Sequence, residues 1–129
     1  MPTLDLRFRV TSAGLLTLPW TERLADWDIT AVPLRDIPVG PSRHLVRFVE
    51  ADGRLWALKD LPLRVARREY DVLRALERRS LSAVRPAGLV TQPFDDAAIL
   101  VTQYLERSWQ YRRLLMRVPS TSTAHRARL

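Results

Sequence analysis

No cysteine occurs among the 129 residues, which excludes a disulfide framework, a thiolate nucleophile and a cysteine-ligated metal. Histidine is nearly absent. His44 and His125 stand far apart and outside any metal-ligand spacing, so a metal site would have to be built from carboxylates. No apolar run approaches the length of a membrane span, and the opening "MPTLDLRFRV" carries Asp5, Arg7 and Arg9 where a signal peptide needs an apolar core. These absences suit a cytosolic protein. Lysine is the scarcest basic residue: Lys59 stands alone against twenty arginines. Arginine is a planar fork and lysine a compact point charge on a flexible stem, so a position that stays lysine in such a chain is a candidate for chemistry.

What is present bounds the fold. A chain that is 47% hydrophobic and 27% charged fits one small domain with a modest core. The net charge of +7 would suit a partner rich in phosphate. Along the sequence, however, the arginines are scattered from Arg7 to Arg128 and no aromatic-interleaved platform appears. A general preference for arginine in the source genome explains the charge as well as a partner does, and composition does not favour nucleic acid.

Residues 3–10, "TLDLRFRV", alternate with the period of a strand. "TERLADW", residues 21–27, predicts a short helix after Pro19, and the proline-rich 32–43 predicts a loop. "HLVRFVEA" and "RLWALKDL" flank Asp52-Gly53, a strong hairpin signal. Over 63–79 the period changes: Val65, Glu69, Val72, Leu73 and Leu76 form the stripe of an amphipathic helix. "AGLVTQ" and "AAILVTQYL", separated by Pro93, Asp95 and Asp96, predict a second antiparallel pair. "SWQYRRLLMR" reads as a helix with Ser108 as its cap, and another helical pattern begins near the end. The order predicts an α+β fold, an antiparallel sheet with one packed helix.

Strand alternation puts Leu55, Ala57, Lys59 and Leu61 on one face and Arg54, Trp56, Leu58 and Asp60 on the other. With both faces apolar, 54–61 should be a central strand with cover on both sides, one of them the helix at 63–79. On that helix Glu69 lies four residues after Val65 and four before Leu73, inside the apolar stripe. A lone inward base and a lone inward acid are each costly to bury, and pairing offsets much of that cost. Breaking a fully buried pair would cost about 3 kcal/mol. The plainer reading is an edge-strand lysine that deters aggregation, with Glu69 snorkelling at the rim.

"LWALKDL" followed by a helix containing "RREYDVL" resembles the strand lysine and helix glutamate of the protein-kinase-like fold, and most of all its bacterial lipopolysaccharide-kinase-like branch. The resemblance implies ATP, with magnesium, as cofactor. It gives Lys59 the α/β-phosphates, Glu69 the task of orienting Lys59, and Ala57 a place lining the adenine slot. "ILVTQYLERS" is similar to the last sheet strand running into the interlobe hinge. Thr102 would then guard the back of the pocket, and Gln103 and Leu105 would offer backbone groups to the adenine edge. The phosphate-covering loop departs from the family in having few glycines: "VGPSRHLV" offers Gly40, Ser42 and Arg43, and reads equally well as a proline-rich connector.

The likeness covers roughly 39–113 and stops short of the two aspartates that kinase chemistry places in its second lobe. Asp96 is the last aspartate, and beyond it only Glu106 is acidic. The resemblance therefore implies a nucleotide-binding small lobe, 39–106, preceded by an extension, 1–38, with a strand and a short helix. Residues 107–129 would be the helix after the hinge and the start of a helical second lobe, cut short. No catalytic residue is expected within the chain, and a C-terminal lobe or a second chain would complete the site. The alternatives are a non-catalytic interaction module, such as a degenerate kinase lobe serving as a scaffold, or an arginine-rich nucleic-acid-binding domain.

Overall fold

The computed structural model describes residues 3–28, 30, 32, 34–35, 44–81 and 84–104. Its strands are β1 (Asp5–Phe8), β2 (Leu34–Arg35), β3 (Val46–Ala51), β4 (Arg54–Leu61), β5 (Val84–Thr91) and β6 (Ala98–Tyr104); its helices are α1 (Ala13–Leu16) and α2 (Leu63–Arg78). The strands form one six-stranded sheet in the order β1-β5-β6-β4-β3-β2, every pair antiparallel. This is the α+β architecture expected from the sequence, with β4 inside the sheet.

Register starts from the Asp52-Gly53 turn, where both residues adopt left-handed backbone with φ of 54° and 72°. Two consecutive positive φ angles give the type I′ turn whose twist matches that of the flanking strands. The pairing of β3 with β4 runs from Ala51↔Arg54 to Val46↔Lys59. At the other edge β1 lies against β5 at Gly88, where a Cβ would meet Phe8 Cδ1 at 2.5 Å and the Arg7 carbonyl oxygen at 2.7 Å. Only glycine permits that approach.

Each face of the sheet has its own cover. On one face Trp56, Leu58, Val90, Ile99 and Val101 are fully buried against Leu15, Leu18, Trp20, Leu24 and Trp27 from the N-terminal segment. Trp20 packs edge-on to Trp27 at 5.4 Å. Arg47 on β3 and Gln92, just past the end of β5, fasten this segment by its carbonyls. Arg47 Nη1 donates to Leu24 O at 2.9 Å and Trp27 O at 3.1 Å, and buried Gln92 Nε2 donates to Trp20 O at 2.9 Å and Glu22 O at 2.8 Å. The helix expected over 21–27 is a single 3-10 turn, Leu24–Asp26. Arg47 takes the Leu24 carbonyl of this turn, and Gln92 takes the Glu22 carbonyl just before it.

α2 covers part of the other face. Ala66, Leu63, Val65, Tyr70 and Leu73 pack on Leu61, Ala98, Leu100 and Leu89, so the helix lies over β5, β6 and the end of β4. Phe48, Leu55 and Ala57 form a separate buried cluster further along β3 and β4. Val72, expected in the buried stripe, is 52% exposed; the packed strip runs through Ala66, Tyr70 and Leu73 and leaves it outside. The helix ends in a Schellman motif, with Leu81 N donating to Leu76 O and Ser80 N to Glu77 O, both at 2.9 Å, and Ser80 at a φ of 56°. Its first residue is capped from another element: Leu63 N donates to Asp96 Oδ1 at 3.0 Å.

Candidate functional site

β4 carries Lys59 to the face that α2 shares. Its neighbours across the ladder are Val46 on β3 and Leu100 on β6. Ten residues on, the first two turns of α2 bring Glu69 over the same face. Lys59 Nζ donates to Glu69 Oε1 at 3.3 Å and Oε2 at 3.4 Å, so the predicted convergence is observed. Both distances exceed the 2.7–2.9 Å usual for a charge-assisted bond. The pair is not deeply buried, since the side chains are 31% and 36% exposed. An ammonium has three donors. Shared between two carboxylate oxygens at long range and open to water, this one can take a further oxygen ligand without breaking a tight pair.

Ala57, two residues earlier on the same face, pairs directly with Thr102 on β6. Ala57 is buried and Thr102 half-buried. Lys59, Glu69, Ala57 and Thr102 therefore share one side of the sheet, with a small side chain and a hydroxyl next to each other and the ion pair beyond them. Gln103 faces the other way. Its side chain is buried beside the Trp56 cluster, and among the described residues no group hydrogen-bonds its Oε1. Its backbone lies where the β4 ladder ends, at Trp56↔Gln103, while pairing with β5 continues to Val84↔Tyr104. Gly40, Ser42, Arg43 and Leu105 lie outside the described residues, as does the helix expected from Ser108.

Asp60, next to Lys59 but on the opposite face, is an ionisable group that strand alternation located without indicating its chemistry. Burial pushes its carboxyl above the ordinary carboxylate value, against the opposing pull of Arg23 and His44. Arg23 itself stacks over Phe94 at 4.4 Å from the ring centre. No group of three or more histidine, aspartate or glutamate side chains among the described residues could hold a metal ion. No helix among them is long and apolar enough to cross a membrane. Compared with protein-family models, curated proteins and solved structures, the chain matches none.

Proposed function

We propose that this chain is the nucleotide-binding small lobe of a kinase-like phosphotransferase, in which Lys59 contacts the phosphates of ATP and Glu69 holds Lys59 in place. One observation carries the reading: the 3.3 Å contact of the chain's single lysine with Glu69, on the sheet face that also presents the Ala57–Thr102 pair. The arrangement suits a nucleotide. A flat base needs a small residue beneath it, supplied by Ala57, and the phosphates need a point charge a short way along the strand, supplied by Lys59. The connection supports it as well, because the lysine strand leads straight into the glutamate helix and β6 returns beside the lysine strand.

The described residues do not fit the magnesium that such chemistry employs, since they offer no carboxylate cluster. The proposal therefore assigns this chain the phosphate contact and no chemical step. The catalytic carboxylates come from a second lobe or a second chain, and the acceptor is a sugar, small molecule or protein. A cytosolic setting, where ATP is found, completes the reading.

Calorimetry of ATP binding to residues 1–129 tests it. Lys59 alone attracts phosphate weakly in water, so the dissociation constant should be roughly millimolar. Lys59→Ala should abolish the signal, and Glu69→Gln should weaken it. An ATP affinity untouched by Lys59→Ala would end the proposal. So would magnesium-dependent phosphate transfer by residues 1–129 alone, whereas turnover confined to a polypeptide extended through a downstream lobe would support it.

A further inference from the structure

The arginines that look scattered in the sequence are sorted by α2. At 100° per residue, Arg67, Arg78, Asp71, Arg64, Ala75, Arg68, Arg79 and Val72 fall, in that angular order, within an arc of about 140°. All eight are exposed. The two glutamates of the helix point elsewhere: Glu69 to Lys59, and Glu77 to Arg9 at 2.5 Å and Arg85 at 3.3 Å. The acids thus serve the sheet side while five arginines and one aspartate face outward. Among the described residues, no ion pair engages Arg64, Arg67, Arg68, Arg78 or Arg79.

Helix stability accounts for Arg78 and Arg79, which sit at the C-terminal end where the dipole favours cations, but not for the rest of the arc. Arg64 lies in the first turn, where the helix dipole repels cations, and it forms a like-charged i,i+4 pair with Arg68. An extended anion lying along the arc offsets both repulsions. Arg64 to Arg78 spans about 21 Å of helix axis, and a nucleic-acid duplex carries one negative charge per roughly 1.7 Å of its length. We infer that the outward face of α2 binds the phosphate backbone of a nucleic-acid duplex.

Other anionic partners fit less well. A membrane surface would need the helix's apolar side, which is packed on the sheet. An acidic protein would need a large apolar or aromatic anchor, and the arc offers only Val72. A single strand would need exposed aromatic rings for stacking, and Tyr70, the one aromatic of α2, packs against the sheet. A row of arginine forks with little else is suited to regularly spaced phosphates read without regard to sequence.

The test is fluorescence anisotropy of a labelled duplex of about 20 base pairs with residues 1–129, titrated across salt concentrations. Five phosphate contacts predict a log–log slope of affinity against salt of about −4.5, and Arg64→Gln with Arg68→Gln should reduce its magnitude by about 2. Arg7→Gln with Arg54→Gln removes the same charge from exposed positions off the helix and should leave the slope nearly unchanged. If the first pair does not fold, Arg67→Gln with Arg79→Gln from the same arc serves the same purpose. Equal losses from the helix and off-helix pairs would mean net charge alone is at work and would overturn the inference. So would no binding at 50 mM salt, or polyglutamate binding as tightly as the duplex with the same sensitivity to Arg64 and Arg68.

Discussion

Lys59 and Glu69 touch across the junction of β4 and α2 with about a third of each side chain still in water. Such a pair behaves as a surface ion pair, because solvent screens the charges and hydrates whichever partner remains after the other is removed. Glu69→Ala should therefore cost less than about 1 kcal/mol in urea denaturation, well below the value for a fully buried pair. A loss of several kcal/mol would show that the ammonium is left dry.

Asp96 should matter more to α2 than any residue of its own first turn. The residue before the helix is Pro62, which offers no side-chain cap, and Asp96 accepts from Leu63 N across 33 positions of sequence. Asp96→Ala should cost about 1 kcal/mol, the usual loss of an N-cap. Asp96→Asn should keep most of the stability, since asparagine also accepts a hydrogen bond and tolerates the positive φ of 50° found there. Equal denaturation midpoints for the alanine variant and the parent would show that the contact carries nothing.

Gln92→Leu should leave the buried carbonyl of Trp20 without its donor, while the Glu22 carbonyl keeps the Trp27 indole N–H. Unsatisfied buried acceptors cost roughly 1–3 kcal/mol. The loss should be local, seen as faster amide exchange over 19–28 and altered Trp20 fluorescence, with β4 and β6 still protected. Uniform acceleration across the whole sheet would contradict it.

Two aspartates should pull the pH dependence of stability in opposite directions. The Ser12 hydroxyl and the Gly14 N–H hold the Asp52 carboxyl below its ordinary 3.8, so its contribution is present above that value and is lost as pH falls through the lower folded value. Burial holds Asp60 above 3.8, so its ionisation opposes folding at neutral pH, and the opposition fades as pH falls through the raised value. At pH 7 Asp52→Asn should lower the melting temperature and Asp60→Asn should raise it. Both differences should shrink toward pH 3, and the same sign for both at pH 7 would refute the assignment.

The local signals in the sequence were strong where chemistry is local. Asp52-Gly53 with alternation on either side located β3 and β4 to within two residues. The change of period after Pro62 located α2, and the faces of Lys59 and Glu69 followed from counting. What escaped was decided at long range. α1 is four residues held by Ser12 and by Asp52 from the hairpin turn, and β2 is two residues whose strand character comes only from pairing with Val49 and Phe48. The openness of the Lys59–Glu69 pair depends on where α2 settles, over β5 and β6 more than over β4, which no periodicity encodes. The arginine arc follows from the same counting, since Arg64, Arg67, Arg68, Arg78 and Arg79 fall outside the apolar stripe, but that Glu69 and Glu77 turn away to Lys59, Arg9 and Arg85 was decided at long range.

The pairing of β1 with β5 has a consequence for how the chain comes into being. Asp5 lies opposite Thr91 and Phe8 opposite Gly88, so β1 has no partner until some eighty residues later. On a ribosome the segment carrying Leu6, Phe8, Trp20 and Trp27 would emerge with its apolar side uncovered, and closing so long a loop is slow compared with forming the β3–β4 hairpin. The N-terminal segment is therefore the stretch most in need of shelter during synthesis, and its sticky interval ends only when β5 and β6 have left the exit tunnel.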